Sequence, residues 1–160
     1  MDRNLEIPVF VWFRLVRCLR KAGRGIHESG AFLLGVRGEW ADKVTSFVLY
    51  NELNSHALDT GIITFASDGF SNLWKVCRER NARVLADVHT HPGIALQSNS
   101  DRQNPMIGEV SHMAIILPNY AMNWCLSLRG VGFFEYRGNL QWTDWTKLEH
   151  RRQRIHLSLW

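Results

Sequence analysis

The chain has 160 residues, 46% hydrophobic and 21% charged, with a formal net charge of +4. This suits a single globular domain with a sizeable core. Its three cysteines, Cys18, Cys77 and Cys125, are dispersed with no CxxC pair, which argues against a disulfide framework and against a cysteine zinc site and points to a reducing, cytoplasmic setting.

The apolar stretch from Ile7 to Val16 is too short to span a bilayer and lacks the cleavage site of a signal peptide. Trp12, Leu15, Val16 and Leu19 recur at helical spacing, so a helix is expected over 8–22, with Pro8 in its first turn and Gly23 and Gly25 ending it. Residues 31–36 read as a buried strand, 44–50 as a second and 62–65 as a short third. Ser67 and Asp68 suit the cap of a helix over 69–81 that carries Leu73, Trp74 and Cys77 inward. A strand over 83–89 follows, then a polar loop over 92–108 rich in turn formers, then a strand over 113–117.

Residues 124–128 and 131–136 look like a hairpin turning at Arg129-Gly130. The charged stretch 148–154 is ambiguous, and 155–160 reads as a strand or a docking tail. Basic residues cluster near both ends: Arg14, Arg17, Arg20, Lys21 and Arg24, then Lys147, Arg151, Arg152 and Arg154. A solvated helix face and a solvated tail are the expected reading. Nucleic acid is the less favoured partner, because no recognisable nucleic-acid-binding motif accompanies these charges. Seven Trp is a high count for this length, and Trp74, Phe70 and Trp124 are candidates for a partner surface, although core packing is the usual fate of such residues.

The chemistry concentrates at His89-Thr90-His91-Pro92 with Ser98 and Asp101. Side chains at i and i+2 of a strand share a face, so His89 and His91 can aim at one point. Pro92 ends the strand, and the following loop can return Asp101 as a third ligand. Two imidazoles and one carboxylate suit Zn2+ and leave a fourth position for water, the arrangement of a catalytic site. Amide hydrolysis then needs a general base and an oxyanion donor. Glu28, just before the strand at 31–36, is the candidate base, and Ser98, three residues before a ligand, the candidate donor. Gly30 and Gly35 suit close backbone packing beside such a site.

Taken together, these residues resemble the signature of the JAMM (MPN+) metalloprotease family: an upstream Glu, then His-x-His-Pro, then Ser-x-x-Asp. Glu28, His89-Thr90-His91-Pro92 and Ser98-Asn99-Ser100-Asp101 carry the resemblance, which spans about residues 8–137. It implies an α/β fold of MPN (JAB) type, a curved mixed sheet flanked by helices in one domain over 1–160, with 138–160 as a C-terminal extension. It implies Zn2+ on His89, His91 and Asp101, Glu28 as general acid/base and Ser98 stabilising the oxyanion. One departure is the five-residue gap between Pro92 and Ser98, shorter than usual in the family, which leaves Ser100 as the alternative donor.

The compact chain looks like the bacterial stand-alone members, which accompany ubiquitin-like proteins and E1- and E2-like enzymes, some of them in antiphage operons. The implied substrate is a ubiquitin-like protein supplied in trans, its extended tail lying beside a strand by β-augmentation. Release of a sulfur-carrier protein from an adduct is the rival cleavage, and a catalytically silent MPN scaffold is the rival from another class.

Overall fold

A computed structural model describes residues 4–122, 127–147, 149 and 152–159. Its architecture is mixed α/β. The elements run β1 (Asn4–Pro8), α1 (Val9–Gly23), β2 (Gly30–Val36), β3 (Ala41–Leu49), α2 (Tyr50–Leu53), α3 (Ser67–Glu79), β4 (Arg83–Thr90), α4 (Asn99–Gln103), β5 (Met113–Leu117), β6 (Gly132–Gly138), β7 (Gln141–Asp144) and β8 (Ile155–Ser158). The strands form one eight-stranded sheet in the order β7-β6-β5-β4-β2-β3-β1-β8. β4 is antiparallel to β2 and parallel to β5. β1 is parallel to both β3 and β8.

Alternation along the central strands serves two cores. Ala31, Leu33, Ala86, Val88 and Ile115 meet the apolar stripe of α1, formed by Trp12, Leu15, Val16 and Leu19. Phe32, Leu34 and Val48 face the other way, onto Tyr50, Leu53, Leu73 and Cys77 of α2 and α3. Both faces of β2 are therefore buried, which is why it reads as a continuous apolar run.

The expected helix over 8–22 forms almost as read. Pro8 is the last residue of β1 and the cap of α1, so strand passes directly into helix. Other expectations need correction. The segment 62–65 is irregular and pairs with no strand of the sheet. Tyr50 starts α2 instead of ending β3. Trp74 is 43% exposed, since α3 buries the stripe Gly69, Leu73 and Cys77 and Trp74 lies to one side of it. The loop over 92–108 contains the short helix α4.

The expected hairpin partner over 124–128 also differs. Residues 123–126, with Trp124 and Cys125, lie outside the described residues, and 127–128 are not strand. β6 instead pairs with β7, which was not anticipated, through a turn at Asn139 and Leu140. Residues 148, 150, 151 and 160 of the ambiguous C-terminal stretch are likewise outside the described residues. Beyond them, β8 pairs with β1, so the tail contributes a strand to the sheet.

Arg154 is not solvated. It is 4% exposed, and its guanidinium lies 2.8 Å from Oε1 of the fully buried Glu135. The Trp145 indole N–H donates to Glu135 Oε2 at 2.8 Å, and Arg154 stands 5.6 Å from the centroid of the Trp145 ring. Glu135 belongs to β6, next to one end of the strand order, and Arg154 leads into β8 at the other end. The sheet therefore curls until its two ends share an ion pair.

Glu135→Ala is expected to destabilise the fold by about 3–5 kcal/mol, because it leaves a buried guanidinium without its carboxylate. Arg37→Ala, which breaks an exposed pair with Glu109, is expected to cost less than about 1 kcal/mol. Equilibrium denaturant unfolding of the two variants checks both values.

Candidate metal centre

β4 points Ala86, Val88 and Thr90 at one face and Asp87 and His89 at the other, and His91 continues the second set just past the strand end. His89 Nε2 and His91 Nε2 stand 3.1 Å apart. Asp101 completes a triangle, with Oδ1 3.5 Å from His89 Nε2 and Oδ2 3.3 Å from His91 Nε2. Ligand atoms 2.0–2.2 Å from one zinc at tetrahedral angles stand about 3.3–3.5 Å apart. The two histidine–carboxylate distances fall in that span and the histidine–histidine distance just under it, so the three side chains are close enough to share one metal ion, and among the described residues they are the group of potential ligands arranged to hold one.

Asp101 reaches the histidines because Ser98 caps α4 and sets where its first turn begins. The Ser98 hydroxyl accepts the Asp101 backbone N–H at 3.1 Å, and the Asp101 carboxylate accepts the Ser98 N–H at 2.6 Å. This reciprocal capping box fixes the carboxylate's direction. The short loop before it is anchored by Ala95, buried against Ala114, Ile116 and Phe134. Gly132 permits that approach, since a methyl group there would collide with the Ala95 carbonyl oxygen.

The strand end is held from the far side as well. The backbone N–H of Tyr120 donates to the His91 carbonyl at 2.8 Å, and that of Asn119 to Gly93 at 2.9 Å. Asn119, Tyr120 and Ala121 have φ of 51°, 52° and 57°. Left-handed backbone costs roughly 1–2 kcal/mol per residue, so this turn spends conformational energy to hold the ligand loop.

Glu28 is placed by β2. The pairing of Gly30 with His89, and the bond from Thr90 N–H to the Ser29 carbonyl at 2.9 Å, set Glu28 across from His91. Its own N–H donates to the Gly61 carbonyl at 3.1 Å, so the irregular segment after residue 60 backs it. Gly30 must lack a side chain, because a methyl group would strike the Tyr50 ring; Gly35 likewise abuts the Lys43 backbone beside a bulge. Glu28, His89, His91, Ser98, Ser100 and Asp101 all line one cavity of about 490 Å³, whose lining also includes the apolar Ile63, Phe65, Phe70, Met106 and Trp142.

Burial works against charge on His89, but the carboxylates of Asp101 and Asp87 outweigh it and lift its pKa to about 9. Burial works against the Asp101 charge too, yet bonds from His89, His91 and the Ser98 N–H hold that carboxyl well below the usual range. Asp87 is lowered in the same way: burial is overcome by His112 and His89. Tyr50 is fully buried, its hydroxyl has no hydrogen-bond partner among the described residues, and burial with the nearby charges of Asp87 and Asp101 raises its pKa well above normal, so it stays neutral.

Three of these residues were missed in the sequence. Asp87 shares the parity of His89 and His91, which is the signal that could have found it. Tyr50 and His112 come from distant segments and carried none.

The comparisons with known proteins agree with a metal site at a coarse level. No family model matches the chain. Over 103 residues it is 23% identical to the probable metalloprotease y4jG of Sinorhizobium fredii, covering 64% of each protein. The chain thus spans under two thirds of the length of that relative. Among solved structures, it resembles protein DSY2949 of Desulfitobacterium hafniense with a TM-score of 0.64 at 16% identity, covering 96% of this chain and 92% of that one. A protein of Salinibacter ruber matches with a TM-score of 0.57 at 12% identity, over 90% and 88% of the two chains. These structural likenesses establish a shared fold. Among the described residues, no helix is long and apolar enough to cross a membrane.

His89→Ala and Asp101→Ala are each expected to abolish stoichiometric zinc binding, read by elemental analysis after dialysis. Full zinc in either variant would remove that residue from the ligand set. In metal-free protein at pH 7.5, His89 carries a proton that zinc must displace, so calorimetry in buffers of different ionisation enthalpy is expected to show proton release on binding.

Proposed function

We propose that this protein is a zinc-dependent peptidase or isopeptidase of the JAMM (MPN+) type, with an MPN-like fold. The observation that carries the reading is the convergence of Glu28, His89, His91, Ser98 and Asp101 on one cavity from three separate segments of the chain. The distant likeness to a probable metalloprotease supports it.

A zinc ion on His89, His91 and Asp101 would acidify a water and polarise the scissile carbonyl. Glu28 takes the proton from the attacking water and passes it to the amine as the C–N bond breaks. Ser98 still has its hydroxyl proton to donate, because its oxygen serves the capping box as an acceptor, and that proton points the way to an oxyanion role. Ser100 lines the same cavity and is the alternative donor.

The substrate proposed is the C-terminal tail of a ubiquitin-like protein, either as a precursor or conjugated to a target. Such a tail can lie extended along a strand by main-chain hydrogen bonds. The protein would act in the cytoplasm alongside E1- and E2-like enzymes, in a bacterial antiphage setting.

Glu28→Ala is expected to retain zinc and lose hydrolysis of a ubiquitin-like protein bearing a short C-terminal extension; cleavage by that variant would exclude Glu28 as the base. Ser98→Ala is expected to slow turnover about 10²- to 10³-fold. A small effect there with a large one in Ser100→Ala would move the role to Ser100.

A further inference from the structure

Behind the histidine ligands lies a second layer of buried polar groups. Asp87 is 3% exposed and His112 6% exposed. His112 Nε2 stands 2.7 Å from Asp87 Oδ1. Asp87 Oδ2 lies 3.8 Å from His89 Nδ1. On the other side of the same imidazole, Nε2 faces His91 and Asp101. His89 therefore has one ring nitrogen at the metal point and the other toward a carboxylate.

The chemistry of these groups orders the protons. An ionised carboxylate only accepts, so Nε2 of His112 carries the hydrogen and donates it to Asp87. The remaining Asp87 oxygen faces Nδ1 of His89 across 3.8 Å, and its charge favours a proton on that nitrogen over one on Nε2. With the proton on Nδ1, the Nε2 lone pair of neutral His89 is left to a metal. Asp87 sits in the middle of the sheet, paired across β4 with Phe32 on β2 and Ala114 on β5. His112 is itself held in place: its N–H donates to the Glu109 carbonyl at 3.0 Å, and its carbonyl accepts the Tyr136 N–H at 2.9 Å.

We propose that His112 and Asp87 are positioning residues for the metal, acting in series: His112 orients Asp87, and Asp87 orients His89. The inference rests on the reading of His89, His91 and Asp101 as a zinc site, but not on the identity of any substrate. It extends the functional machinery to the segment just before β5, which contributes no ligand.

The test is zinc affinity, measured by competition with a chromophoric chelator, together with the visible spectrum of the Co2+-substituted protein. Neither readout needs turnover. Asp87→Asn, which keeps the shape and removes the charge, is expected to weaken zinc binding about 10- to 100-fold, the usual effect of losing such a partner, and to shift the Co2+ bands. His112→Ala is expected to do the same. His112→Gln, whose amide can again donate to Asp87, is expected to restore most of the affinity.

Unchanged zinc affinity in folded Asp87→Asn would overturn the inference and leave the ligand set standing. So would a fall in melting temperature for His112→Ala with affinity intact, since that is the mark of a purely structural pair. Should His112→Ala fail to fold, His112→Gln and Asp87→Asn decide the matter. Failure of the parent protein to bind zinc at all would overturn both this inference and the metallopeptidase reading. Zinc binding without peptidase activity would touch only the latter.

Discussion

Strand β4 is hydrogen-bonded on both edges, to β2 and β5, and packed on both faces. Its register is the constraint on which the rest depends. A slip of one residue would send Ala86, Val88 and Thr90 to the cavity and bury Asp87, His89 and the aim of His91 in the core against α1. The apolar set of β4 makes that slip costly, so the same packing that stabilises the sheet also aims the two imidazoles. β2 carries the same register across to Glu28, because an antiparallel neighbour fixes which residue lies opposite which.

The site then balances charge within a buried space. Two carboxylates, Asp87 and Asp101, lie on either side of His89, and burial alone would oppose ionisation of all three groups. Their mutual proximity reverses this, leaving the acids ionised and His89 protonated when no metal is present. A divalent cation is the natural replacement for that proton: it meets the same carboxylate and frees the imidazole lone pairs. The arrangement is thus suited to a cation before any argument from likeness to other proteins is made.

Holding the ligand loop costs conformational energy, and the fold supplies it from several directions. The left-handed turn at Asn119–Ala121 grips the His91 and Gly93 carbonyls, Ala95 roots the loop in a small core, and the capping box orients Asp101. The five-residue spacing between Pro92 and Ser98 is accommodated because Gly132 lets that loop lie directly against β6. At the far side, the Glu135–Arg154 pair ties the two ends of the curled sheet together.

The local features of this protein were legible in the sequence because they depend on short-range periodicity. The i, i+2 parity of His89 and His91, the apolar stripe of α1 and the Ser98–Asp101 spacing each follow from geometry within a few residues. Parity and spacing singled out His89, His91 and Asp101 as candidate ligands, the resemblance to a metalloprotease signature added Glu28 and Ser98, and the structure brings all five to one cavity. What the sequence left hidden depends on pairing across long separations. The strands β1 and β7 are short and gain their partners only from the sheet, which also settles 155–158 as strand where the sequence had left strand and docking tail open. The irregular path after residue 60 packs Ile63 and Phe65 on the core beneath β2 without joining the sheet. Arg154 looked like one more tail charge until Glu135, distant in sequence, gave it a buried partner. Asp87 and His112 likewise meet only because β4 and β5 run parallel. Periodicity determined which residues share a face; tertiary packing alone decided which faces meet, since that choice is made by the sheet order and not by any segment on its own.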